Sequence, residues 1–146
     1  MISYVIPCSG RKTDHPAPAR DLYTGVMFTH TLAAATAEVT WCQANAGNAQ
    51  VLILSARHGL IRLTDTLAPY DTRITDPDAV TPDVIAAQAA ELGITWSDDV
   101  YAMLPAKYLA VLDAGLRQID VYPQDVYEAT SGIGDQRHVN TIVTAA

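Results

Sequence analysis

A chain of 146 residues, 49% hydrophobic and 17% charged, has room for one folded domain with a real core, and this composition is neither disordered nor fibrous. Nine Lys and Arg against sixteen Asp and Glu leave a formal charge of −7. That balance argues against a protein that coats duplex DNA, which must neutralise many phosphates, and against a basic membrane-surface helix.

In chain order, Ile2–Pro7 is a short β-type run that stops at a proline and a small polar loop. It has no basic segment before it, as a signal sequence would. Thr24 to Ala46 predicts a helix around an Ala-rich centre, with Gly47–Asn48 as its stop. Its apolar stretch from Leu32 to Ala46 falls short of the roughly 18 residues a membrane span needs. Gln50–Ser55 is a near-continuous apolar run, as in a strand buried on both faces. Ala56 to Asp78, with Gly59, Pro69 and Pro77, reads as a long loop holding at most a turn of helix. Thr81 and Pro82 open a helix as N-cap and first helical residue, and Gly93 closes it. Asp99–Leu104 is a third strand, Pro105 to Ala114 a helix stopped by Gly115, and Gln118–Tyr122 a fourth strand. Gly134 to Val143 reads as a last helix. The alternation predicts a single α/β domain over residues 1–146. It is expected to be three-layered, with a mainly parallel four-stranded sheet and helices on both faces. The expectation is a cytoplasmic protein with no membrane contact. Cys8 and Cys42 then read as two thiols, and no zinc spacing or cofactor is expected.

Open α/β sheets bind ligands at the carboxyl ends of their strands. Here the first strand opens into Cys8-Ser9-Gly10-Arg11-Lys12. Backbone N–H groups there can cradle an anion, and Arg11 or Lys12 can pair with it. Cys8 is either a nucleophile beside two cations or a small packing residue, whereas Cys42 reads as core. Ser9 either donates to a ligand or caps the turn. The second strand opens into Ser55-Ala56-Arg57-His58-Gly59. His58 is the best acid/base candidate by its titration range, or else bonds a neighbouring loop, and Gly59 would let backbone approach a ligand. Tyr70-Asp71 puts a ring able to stack on a planar base beside a carboxylate able to move a proton. Tyr23 is a second such ring, and Asp21 before it reads as a helix cap. In Ser131–Arg137 a Gly-spaced turn brings Asp135 and Arg137 to a predicted helix start, a weak anion signal.

The set PCSGRK, DLYTGVMF, LILSARHGLI, LAPYD and SGIGDQR resembles the small phage and bacterial proteins of the YaaA-like peroxide-stress family. The resemblance spans Ile6 to about Arg137 and implies DNA association and protection from oxidative damage. The element Pro7-Cys8-Ser9-x-x-Lys12 also resembles a motif of archaeosine synthases and related tRNA-guanine transglycosylase proteins. This sequence lacks their long barrel and RNA-binding appendage. Both resemblances point to nucleobases.

Three readings follow. The favoured one is an enzyme acting on a nucleobase, nucleoside or nucleotide, by base modification or N-glycosidic chemistry. In it Lys12 and Arg57 hold negative charge, His58 or Asp71 moves a proton, Tyr23 or Tyr70 stacks on the base, and Cys8 is a further reactive group. The alternative is a non-catalytic YaaA-like protein that binds nucleic acid or a nucleotide. The third is a redox protein using Cys8. The charge distribution keeps an anionic ligand in play. Through Arg73 there are six Lys and Arg against five acids, and from Ile74 onward three against eleven. The expected partner is thus a nucleobase-containing small molecule or nucleic acid, and no metal is assigned.

Overall fold

The computed structural model describes residues 1–128. Its strands are β1 (Ile2–Pro7), β2 (Ala17–Pro18), β3 (Ala49–Ser55), β4 (Gly59–Arg62), β5 (Thr66–Leu67), β6 (Asp99–Ala102) and β7 (Gln124–Asp125). Its helices are α1 (Ala19–Leu22), α2 (Val26–Asn45), α3 (Pro82–Glu91) and α4 (Ala106–Arg117). The main sheet is mixed and mostly parallel, in the order β4-β3-β1-β6-β7. β1 is central and pairs in parallel with β3 and β6, while β4 returns antiparallel on β3. β2 and β5 form a separate small antiparallel pair.

Side chains alternate across a strand, and the core follows that rule. Tyr4, Ile6, Val51 and Ile53 join Phe28, Ala34, Ala35, Val39 and Cys42 of α2 in one cluster. Val5, Leu52, Leu54, Val100 and Ala102 join Ile85 and Ala89 of α3, and Leu112 and Leu116 of α4, in another. Burying each large aliphatic side chain there contributes about 1.5–3 kcal/mol. Both faces of β1 and β3 are thereby committed to core, which leaves their carboxyl ends as the place for polar chemistry. No helix among the described residues is long and apolar enough to cross a membrane.

The expected sheet of four strands is corrected to five, one of them antiparallel. β4 lies inside the segment read as a long loop. Its Leu60 and Ile61 are buried, and its edge is closed by side chains. The Leu60 N–H donates to Gln88 Oε1 at 2.8 Å and the Arg62 N–H to Asp65 Oδ2 at 2.8 Å. An edge strand with its N–H groups occupied is a poor template for another chain. The third strand ends at Ala102 rather than Leu104. The expected strand at Gln118–Tyr122 is a turn after α4, in which Asp120 has φ 60° and the Val121 N–H donates to Leu116 O at 3.0 Å. Val121 reaches the core from that turn, so its apolar character reflects packing and not strand pairing. The last strand among the described residues is the two-residue β7 beyond Pro123. The helix expected at Gly134–Val143 lies outside the described residues.

Gly115 does not stop its helix. It lies inside α4, buried, where a Cβ would sit 2.7 Å from Ile85 Cγ2 and 2.8 Å from Pro82 O. The absent side chain lets α4 approach α3. Gly115→Ala is therefore expected to destabilise the fold by about 1–3 kcal/mol through overpacking. Gly10→Ala, with nothing within 4 Å of its Cβ, is expected to leave the urea midpoint nearly unchanged. Equal midpoints for the two variants would contradict this close approach.

Candidate functional site

The loops after β1 and β3 meet. Cys8 N–H donates to Leu54 O at 3.1 Å, and Ala56 N–H donates to Cys8 Sγ at 3.4 Å. Tyr108 of α4 brings its hydroxyl to 3.3 Å from the same sulfur. Cys8 and Cys42 are both free thiols, and Cys42 is buried against α2's own cluster.

Ser55, the last residue of β3, organises what lies beside them. A hydroxyl has one proton and two lone pairs. The N–H groups of Arg57 and His58 donate to Ser55 Oγ at 3.2 and 2.9 Å. With both lone pairs engaged, the Ser55 proton goes to Tyr70 Oη, 2.6 Å away. The Tyr70 proton then has Tyr23 Oη, also at 2.6 Å, as its acceptor. Burial pushes the Tyr23 phenol up to about 12. Burial, and then the neighbouring Cys8, raise Tyr70 further, so both phenols stay protonated at neutral pH. Tyr108 is raised by the same two causes in the same order.

The Tyr70 ring is in turn a wall for two functional groups. Lys12 Nζ lies 4.3 Å from its centroid, over the face, and 5.9 Å from that of Tyr23. The His58 ring meets Tyr70 edge-on, with centroids 5.1 Å apart. Burial first, and the Arg57 charge second, depress the His58 pKa, which leaves a neutral imidazole at pH 7. Neither His58 ring nitrogen has a hydrogen-bond partner among the described residues. The backbone around His58 is clamped by Gln88, whose Nε2 donates to His58 O at 2.6 Å while its Oε1 takes the Leu60 N–H.

Several residues take places other than those expected. Ser9 Oγ accepts the N–H groups of Arg11 and Gly25, both at 3.1 Å, and so ties the loop to the start of α2. Of the loop N–H groups expected to cradle an anion, that of Arg11 is taken by Ser9 Oγ and that of Cys8 by Leu54 O. Gly59 serves Gln88 instead of a ligand: it has φ 79°, and a Cβ would collide with Gln88 Oε1. Tyr23 is 3% exposed and packs on Phe28, so its ring is not presented to a base. Asp21 lies in α1, 3.9 Å from Arg20, and does not cap α2. Arg11, Arg57 and Asp71 are exposed, and no partner holds their side chains among the described residues. Asp135 and Arg137 lie outside the described residues. Ser55, Gln88 and Tyr108 were not foreseen. The signal for Ser55 was a lone hydroxyl ending an otherwise apolar run.

No group of three or more His, Cys, Asp or Glu among the described residues is placed to hold a metal ion. A cleft of about 430 Å³ lined by Leu104, Leu109, Asp113, Asp125 and Glu128 shares no residue with the cluster around Tyr70. Lys12, the His58 imidazole and the Cys8 thiol stand around Tyr70 and not in that cleft.

Ser55→Ala removes the acceptor of two N–H groups and the donor to Tyr70. It is expected to cost about 1–3 kcal/mol in denaturant unfolding, the penalty of leaving buried polar groups unpaired. An unchanged midpoint would mean that Ser55 does not organise the turn.

A family model described as a family of unknown function, DUF6884, matches residues 3–139. No curated protein and no solved structure matches the chain. The matched span contains β1 from Ser3 onward, the buried strands beside it, and every residue of the Tyr70 cluster. The chain belongs to the DUF6884 family.

Proposed function

We propose that the protein is an enzyme acting on a nucleobase, nucleoside or nucleotide, by base modification or N-glycosidic chemistry, on a three-layer α/β scaffold. The observation that carries this reading is the pairing of an ammonium and a neutral imidazole against one ring, Lys12 and His58 on Tyr70. Neutral His58, with both ring nitrogens unoccupied, accepts a proton from the substrate. Lys12 stabilises negative charge that develops nearby, with Arg57 alongside. Asp71, exposed and next to Tyr70, is the second carrier of a proton. Cys8, whose sulfur faces the Ala56 N–H and the Tyr108 hydroxyl, is the candidate nucleophile.

A non-catalytic nucleotide-binding protein is the second reading. It is favoured by one observation: the Ser55, Tyr70 and Tyr23 hydroxyls are occupied with one another and offer no free hydroxyl to a reaction.

Incubation with nucleosides, nucleotides and DNA, followed by mass spectrometry, separates the two. The enzyme reading expects a new product, with its rate reduced about 10²-fold or more in His58→Ala, the usual contribution of an acid/base group. Binding without product, or full turnover by His58→Ala, would sink it. The depressed His58 pKa also sets a pH dependence. Below its ordinary 6.5 the unfolded chain binds this proton while the folded one does not. Stability is therefore expected to fall as pH drops from 6.5 toward the folded pKa. Urea midpoints at pH 7 and pH 5 are expected to differ less in His58→Gln than in the native chain. An identical difference in both would contradict the burial of the imidazole.

A further inference from the structure

We infer that the substrate of this site carries a phosphate, and that Lys12 is the residue that selects for it. This rests on the proposed function and narrows its substrate class to nucleoside monophosphates. The chain is acidic overall, yet the four ion pairs among its described residues are Met1–Asp98, Asp14–His15, Arg20–Asp21 and Asp113–Arg117. None of them uses Lys12, Arg11 or Arg57. These three cations stand on the two loops that meet at the carboxyl ends of β1 and β3. Lys12 is half-buried, and its ammonium is held in place by the Tyr70 face and by Gly10 O at 3.4 Å. A flexible lysine fixed without a carboxylate is prepared for an anion that arrives from solution. Recognition here draws on side-chain charge, from which a dianionic monoester gains more than a neutral sugar. The ligand is a free nucleotide and not a strand, because the acidic second half of the chain opposes an extended polyanion.

Calorimetry with the four common ribonucleoside 5′-monophosphates, the matching nucleosides, inorganic phosphate and a short single-stranded DNA tests this. At least one monophosphate is expected to bind tenfold or more tightly than its nucleoside and than the DNA. Lys12→Gln is expected to remove that preference, and Lys12→Arg to retain most of it. Arg57→Gln, at an exposed position, weakens binding without threatening the fold, and Lys107→Gln on α4 changes nothing. Equal affinity for nucleoside and monophosphate, preference for the DNA, or a phosphate preference intact in Lys12→Gln would overturn the inference. The two levels separate cleanly. Turnover of nucleosides without phosphate preference defeats this inference and leaves the enzyme reading standing. Tight monophosphate binding without a product does the reverse.

Discussion

The Ser55 hydroxyl has three partners and only one way to satisfy them. Two N–H groups from the turn that follows take its lone pairs, so its proton is directed at Tyr70. That single constraint fixes the Arg57–His58 turn and the Tyr70 phenol at once. Tyr70 then fixes Tyr23 through its oxygen, and Lys12 and His58 through its ring. A buried hydroxyl at the end of an apolar strand thus connects the core of the sheet to Lys12, to His58 and to the backbone of Arg57. Such networks are stiff when all members are satisfied, because any slackening leaves a polar group unpaired away from water.

Around that hub the loops hold one another. Ser9 ties the β1 loop to Gly25, and Gly25 can approach only because it has no side chain: a Cβ there would strike Ser9 Oγ. Gln88 reaches from α3 to clamp the backbone on either side of Gly59. Two glycines of the loops therefore mark close contacts within the protein, not openings toward a ligand. The result is a scaffold on which the Lys12 ammonium has no carboxylate partner, and the side chains of Arg11, Arg57 and Asp71 and the ring nitrogens of His58 have no partner among the described residues.

Much of this was legible in the sequence where one rule dominated. The apolar runs at Ile2–Pro7 and Gln50–Ser55 are strands, and Thr81-Pro82 opens α3 with its side-chain cap on Val84 N–H. Reading failed where tertiary packing overrode a local signal. Gly115 resembles a helix stop but is a helix–helix contact. Ile119 and Val121 alternate like a strand but pack from a turn. β4 hid in a stretch punctuated by glycine and prolines. In the site, Lys12, His58 and Tyr70 could be picked out because cations, an imidazole and a ring follow buried strands. Gln88 and Tyr108 could not, because their importance lies in long-range hydrogen bonds that no short motif encodes, and Ser55 showed only as a lone hydroxyl ending an apolar run. Asp71 looked paired with Tyr70 by adjacency, yet it stands exposed while the Tyr70 hydroxyl is bonded to Ser55 and Tyr23.

Everything proposed for the site turns on whether the groups gathered on Tyr70 receive the ligand. A crystal structure of the protein soaked with a nucleoside monophosphate addresses it most directly. Phosphate oxygens are expected within hydrogen-bond reach of Lys12 Nζ, with the base directed toward the His58 ring. A nucleotide seated instead in the cleft lined by Leu104, Asp113 and Asp125, with Lys12 and His58 untouched, would contradict this expectation.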